Sequence, residues 1–244
     1  MRNIKIIIEY DGKDFKGWQK QPDRLNIQGE IERAIEIVTG EKVDLIGSGR
    51  TDAGVNAIGQ VANFKIENEM PIEKIPYALN SQLKKSIRVK SAEEVDEMFH
   101  SRYGCKRKTY MYTINNSEQG TAIYRNMQFH FSDKLNEKLM NEAAQYLVGE
   151  HDFKSFKASG TSSKSSVRTI YDAKVWREGE LVKIELTGNG FLYNMVRIIA
   201  GTLVEVGQGK IQPQKVKEIL EAKNREQAGK TLPACGLCLM QVCN

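Results

Sequence analysis

The sequence predicts an α+β fold in which one βαββαβ unit occurs twice. Two patterns predict it: apolar residues alternate with polar ones in several short segments and recur at helical spacing in others, and these segments follow the same order in both halves. A third observation makes a packed core feasible, since 244 residues with 40% hydrophobic and 27% charged side chains match an ordinary globular composition.

In the first half, Ile4, Ile6 and Ile8 alternate with polar neighbours and read as a strand. Ile31, Ala34, Ile35 and Val38 follow helical spacing and stop at Gly40. Val43 to Ile46 reads as a short strand, and Ala62, Phe64 and Ile66 as another. Ile75, Ala78, Leu79 and Leu83 predict a helix after Pro71, and Ile87 with Val89 opens the next strand.

The second half repeats the order. A strand over Lys106 to Ile114 precedes a helix opened by Ser132, with Leu135, Leu139, Ala143, Tyr146 and Leu147 on one face. Strands from Arg168 to Trp176 and from Leu181 to Leu186 are joined by Arg177 to Glu180, which has the composition of a hairpin turn. An apolar helix around Met195 to Val206, a helix opened at Pro213 and a strand from Leu237 to Val242 complete the chain. Residues Phe153 to Ser166, rich in Ser and Lys, read as a mobile loop. Each copy matches the ferredoxin-like motif, helices on one face of an antiparallel sheet. Two halves, 1–104 and 105–244, then make one broad mixed, mostly antiparallel sheet with a central cleft.

Composition narrows the function. No charge-free stretch approaches the ~20 residues that span a bilayer, and the start of the chain lacks a signal-peptide apolar region, so a cytoplasmic protein with no membrane partner is expected. The net charge is only +5, but the cations cluster. Arg102, Lys106, Arg107 and Lys108 form one acid-free run; Lys154, Lys157, Lys164 and Arg168 form a second, again without an Asp or Glu. One such run is usually a solvated face; two point to a polyanion. Cys235 and Cys238 are the only close cysteine pair, and His100, His130 and His151 stand apart, so no metal site is expected.

The most unusual segment is Gly47-Ser48-Gly49-Arg50-Thr51-Asp52-Ala53-Gly54, three glycines in eight residues after a short strand. It lacks the third glycine of a dinucleotide fingerprint, and Gly209-Lys210 fails as a phosphate loop, so no nucleotide cofactor is expected. What remains is Asp52, with Arg50 favouring its ionised form, suited to a nucleophile or general base. An Asp accepting backbone hydrogen bonds in a glycine turn explains the same residues. On the Lys106 to Tyr112 strand, Lys106, Lys108, Tyr110 and Tyr112 share a face, the mixture that stacks a base and holds its phosphates. Arg197, in an otherwise apolar helix, needs a carboxylate or an outlet to water, and Asp52 is a candidate partner.

Together, Gly49-Arg50-Thr51-Asp52-Ala53-Gly54-Val55, Lys108-Thr109-Tyr110-Met111-Tyr112 and Gly190-Phe191-Leu192-Tyr193-Asn194-Met195-Val196-Arg197 resemble the tRNA pseudouridine synthase A family. Gly17-Trp18-Gln19, Phe99-His100-Ser101-Arg102, His151-Asp152-Phe153 and Ala228 to Leu237 extend the resemblance nearly end to end. It implies the pseudouridine synthase fold, a homodimer, tRNA as partner, and isomerisation of uridine at positions 38–40 of the anticodon stem-loop without metal or cofactor. It also implies roles: Asp52 as the catalytic carboxylate, Tyr110 stacked on the uracil, Arg50 in base flipping and Arg197 paired with the carboxylate. Lys108, Leu237, Lys154, Lys157, Lys164 and Arg168 join Tyr110 and Arg50 as substrate contacts.

Asn56 stands where the family usually has His, Ser101 and Tyr103 replace Ala and Phe, and Cys243 replaces an aromatic. None of these removes a catalytic group. Two other readings compete. One is a diverged RNA-binding module that no longer isomerises uridine, against which Asp52, Arg50, Tyr110 and Arg197 argue jointly. The other is a small-molecule enzyme with Asp52 as base, which leaves both basic runs unexplained.

Overall fold

A computed structural model describes residues 1–160 and 165–244. In chain order the first elements are β1 (Arg2–Tyr10), α1 (Ile27–Thr39), β2 (Ile46–Gly47), β3 (Asn56–Ile66), α2 (Ile75–Gln82) and β4 (Ile87–Val95). Then come β5 (Arg107–Asn115), β6 (Phe129–His130), α3 (Glu137–Gln145), β7 (Gly149–Asp152), β8 (Val167–Glu178), β9 (Leu181–Gly188), α4 (Met195–Gly207), α5 (Lys215–Ala222) and β10 (Leu237–Cys243). The expected α+β class and most of the expected elements are present. The chain divides into two compact units: residues 1–106 with 239–244, and residues 107–238.

In the first unit the strand order is β4-β1-β3-β10, with β2 on the flank of β3. β1 pairs antiparallel with both β3 and β4. Ile4, Ile6 and Ile8 are fully buried, as are Ile27, Ile31, Ala34 and Ile35 of α1. Burying each isoleucine contributes about 1.5–3 kcal/mol. The helix begins where the Asn26 side chain accepts from the Gly29 N–H, and ends at Gly40, whose φ of +79° forms a left-handed cap. The strand expected over Val43 to Ile46 is reduced to Ile46–Gly47, because only those residues reach the β3 partners Asn63 and Ala62.

The second unit orders its strands β5-β9-β8-β7, with β6 parallel to β5. The β8–β9 hairpin closes through a two-residue loop in which Gly179 adopts φ +57°, as tight hairpin turns require. Every residue of α4 except Arg197 and Glu205 is buried.

Three expectations in this unit are corrected. The third helix starts at Glu137, not near Ser132, because the Asn136 side chain accepts from the Lys138 and Leu139 N–H groups while its own N–H bonds to Gly207 O at 2.9 Å. The last helix begins at Lys215, two residues beyond Pro213. The segment read as a mobile loop opens with a 3-10 turn, Phe153–Phe156, whose two phenyl rings are fully buried; Phe153 N–H bonds to Ser166 O at 3.0 Å and closes the segment's ends. Lys164 lies outside the described residues. No helix among the described residues is long and apolar enough to cross a membrane.

Candidate functional site

The Arg50–Asp52 loop leaves β2 and runs into β3, and its backbone is fixed from several sides. Trp18 N–H bonds to Thr51 O at 3.0 Å, Val55 N–H to Asp52 O at 3.1 Å, and Gly54 N–H to Phe15 O at 3.3 Å. The Tyr10 hydroxyl lies 2.8 Å from Thr51 Oγ1. The Gln60 amide donates to Gly49 O at 2.9 Å, and Ser48 Oγ donates to Gln60 Oε1 at 2.7 Å. Asn56 Oδ1 accepts from Gly12 N–H at 2.9 Å, so the asparagine at this position ties the base of the loop to the chain leaving β1.

The glycines explain how close these segments come. A Cβ on Gly17, whose φ is +92°, would stand 2.6 Å from Thr51 O; one on Gly47 would stand 2.5 Å from the Trp18 ring. Within this frame Arg50 is exposed and Asp52 half-buried. A carboxylate on a loop with so little freedom is preorganised for chemistry that needs a fixed oxygen.

In the second unit a different cluster forms around the 189–194 loop ahead of α4. The Tyr110 ring, 7% exposed, meets Phe191 edge-on at a centroid distance of 5.1 Å. Arg168 packs 3.7 Å from where a Gly190 Cβ would stand, and burial pulls its pKa below the usual arginine value. Ala158 N–H, just past Lys157, bonds to Tyr193 O at 3.1 Å. Arg197 donates to Asn194 Oδ1 and to Leu232 O, both at 2.7 Å, so its guanidinium is held at the foot of the same loop. Lys108 lies two residues from Tyr110 on β5, opposite Gly188.

Tyr112 does not share in this surface. It is fully buried, donates to Pro233 O at 2.7 Å, and burial pushes its phenol pKa far above the usual value. The Ala228 to Leu237 segment has a packing reason. A Cβ on Gly201 would lie 1.9 Å from Lys230 O and one on Gly236 would lie 2.6 Å from the Tyr112 ring, so the segment sits directly against α4 and β5. Leu237 is buried at its end. Lys154 is exposed on the 3-10 turn and Lys157 is half-buried after it. Among the described residues no group of His, Cys, Asp or Glu is arranged to hold a metal ion.

A tRNA pseudouridine synthase family profile matches residues 6–104 and 143–243. The chain belongs to the tRNA pseudouridine synthase family. A tRNA pseudouridine synthase A from Acetivibrio thermocellus is 52% identical over 242 residues, covering 99% of each chain. One from Clostridium acetobutylicum is 50% identical, and a "tRNA pseudouridine synthase A 2" from Clostridium perfringens is 48% identical, each with 99% coverage of both chains. A solved Cbf5-Nop10-Gar1 complex aligns over 96% of this chain at 12% identity and a TM-score of 0.38, too loosely to place any residue. Arg50, Asp52, Lys154, Lys157, Arg168, Arg197 and Leu237 fall inside the profile's segments, whereas Lys108 and Tyr110 fall between them.

Sequence reasoning gave no role to Phe191, which packs T-shaped against Tyr110, nor to Tyr10 and Gln60 beneath the loop. The available signal was a glutamine directly before Val61 and Ala62 on β3 and a tyrosine continuing the Ile4, Ile6, Ile8 alternation on β1.

Proposed function

We propose that the chain isomerises uridine to pseudouridine at positions 38–40 of tRNA, with Asp52 as the catalytic carboxylate. The observation that carries the reading is the Arg50–Asp52 loop, held rigid from both flanks in a chain about 50% identical to tRNA pseudouridine synthases A along its whole length.

The reaction needs few groups. The N1–C1′ bond of uridine breaks, the uracil turns while still held, C5 bonds to C1′, the C5 proton leaves and N1 ends protonated. Atoms and electrons balance without an oxidant or a cofactor. Asp52 supplies either the attack on sugar or base, or the removal of a sugar proton; both begin from its ionised form, which Arg50, two residues away, favours. Reaching the nucleotide means extruding it from the stack, at a few kcal/mol, offset by stacking on Tyr110 and contacts from Arg50. Lys108, Leu237, Lys154, Lys157, Lys164 and Arg168 complete the RNA contacts, and the phosphate contacts among them make binding salt-dependent. The enzyme acts in the cytoplasm as a homodimer.

The test is nucleotide-resolution mapping of pseudouridine in unmodified tRNA transcripts incubated with the purified protein. Pseudouridine at positions 38–40 is expected; pseudouridine confined to other positions overturns the assignment of positions, and none at all overturns the reading.

A further inference from the structure

We propose that Gln60 and Tyr10 are positioning residues for the Arg50–Asp52 loop, acting through the Gly49 carbonyl and the Thr51 hydroxyl. The proposal rests on the reading of Arg50 and Asp52 given above. Gln60 is 0% exposed on β3, where the residues that follow, Val61 and Ala62, belong to the core. A buried amide is costly unless all its polar atoms are bonded. Gln60 meets that requirement wholly with the loop and its support: Nε2 donates to Gly49 O at 2.9 Å and, at 3.5 Å, to the Tyr10 hydroxyl, and Oε1 accepts from Ser48 at 2.7 Å.

Tyr10, at the end of β1 and 3% exposed, continues the network to Thr51 Oγ1 at 2.8 Å. The two residues flanking Arg50 are thus tied by directional bonds, while Arg50 itself is exposed. Apolar packing resists compression of a peptide yet leaves it free to rotate about its neighbours; bonds to the residue 49 carbonyl and the residue 51 hydroxyl fix the rotation as well. That is the constraint needed to aim the side chains of Arg50 and Asp52 from one loop.

Replacing Gln60 removes its bonds to Ser48 and Gly49 and risks unfolding, so Tyr10→Phe, which removes one oxygen and keeps the ring, is the primary variant. It is compared with Thr51→Val, Thr51→Ser and the Tyr10→Phe/Thr51→Val double variant. Single-turnover pseudouridine formation at saturating tRNA is read at a temperature where circular dichroism shows each variant folded. The expected result is a loss of tenfold or more for Tyr10→Phe and Thr51→Val, with tRNA Kd changed less than twofold. Thr51→Ser, which restores the hydroxyl, stays within threefold of wild type, and the double variant is no slower than the slower single one. A Tyr10→Phe rate within twofold of wild type, a multiplicative double variant, or Thr51→Ser as slow as Thr51→Val overturns the proposal.

Amide exchange gives a readout independent of activity. Tyr10→Phe should speed exchange across 49–54 at least tenfold while β3 beyond Gln60 stays protected, and unchanged protection of the loop overturns the proposal. A wild-type protein that forms no pseudouridine instead overturns the functional reading, and the exchange result then decides the positioning claim alone.

Discussion

Gly17→Ala is a sharp test of whether the position of the Asp52 loop controls turnover. Gly17 adopts φ +92°, and a Cβ there would stand 2.6 Å from Thr51 O and 3.2 Å from Asp52 C, about 0.8 Å short of ordinary contact with the carbonyl. Because Thr51 is bonded to both Trp18 and Tyr10, the strain has no side chain to absorb it and must move the Thr51–Asp52 peptide. A displacement near 1 Å at a reacting group costs about a hundredfold in rate. The left-handed backbone adds about 1–2 kcal/mol of instability, at about 2–4 °C in Tm per kcal/mol for a chain of this size.

The control is Gly40→Ala. Gly40 also has positive φ, +79°, but nothing lies within 4 Å of its would-be Cβ. It shares the backbone penalty and lacks the collision. Pseudouridine formation and thermal melts on both variants separate the two effects. Gly17→Ala should lose roughly tenfold to a hundredfold in single-turnover rate at near-normal tRNA affinity, while Gly40→Ala keeps wild-type rates at a lowered Tm. Equal rates for the two variants, each measured while folded, refute the reasoning.

Tyr110→Ala should slow the reaction by roughly tenfold to a hundredfold, the equivalent of a base stack worth about 1–3 kcal/mol, and Tyr110→Phe by only a few-fold; equal single-turnover losses assign the hydroxyl to proton transfer instead. Replacing both Lys154 and Lys157 with Ala should weaken tRNA binding and reduce the slope of log K against log salt by about 1–2, and an unchanged slope returns these lysines to solvent. The Ser166 hydroxyl, then the Lys223 ammonium, hold the Asp152 carboxyl below its usual range, so its contribution to stability is complete above the ordinary carboxylate pKa and is lost as pH falls through the lowered value. Asp152→Asn should therefore unfold at lower urea than wild type near neutrality and match it in acid; a gap that persists into acid contradicts that linkage.

Elements with strong local periodicity were legible in the sequence. Ile4, Ile6 and Ile8 could alternate only in a strand with one buried face, and the α1 pattern ended at a glycine that does form its cap. Where two local signals competed, tertiary contacts decided. Ser132 and Asn136 are both good N-cap residues, and the bond from Asn136 to Gly207 selects the second. Serine and lysine content suggested mobility after Phe153, but Phe153 and Phe156 anchor that segment in the core, a preference that composition averages away.

The glycine loop was legible as a place of close approach because three glycines have few other uses. Its support was not. A glutamine within a strand does not announce that its partners lie eleven and fifty residues away, at Gly49 and Tyr10. The expected face of tyrosines split for a similar reason, since alternation gives Tyr110 and Tyr112 one side of β5 without saying which of them the Pro233–Gly236 segment covers.

The most direct test of the central claim compares Asp52→Ala with wild type on the same unmodified tRNA, each at saturation as judged by its own measured Kd. The account predicts pseudouridine from the wild-type protein, none from the variant, and similar Kd values, because the carboxylate serves the chemical step and not phosphate contact. Pseudouridine formation by Asp52→Ala at a rate near that of wild type would contradict it.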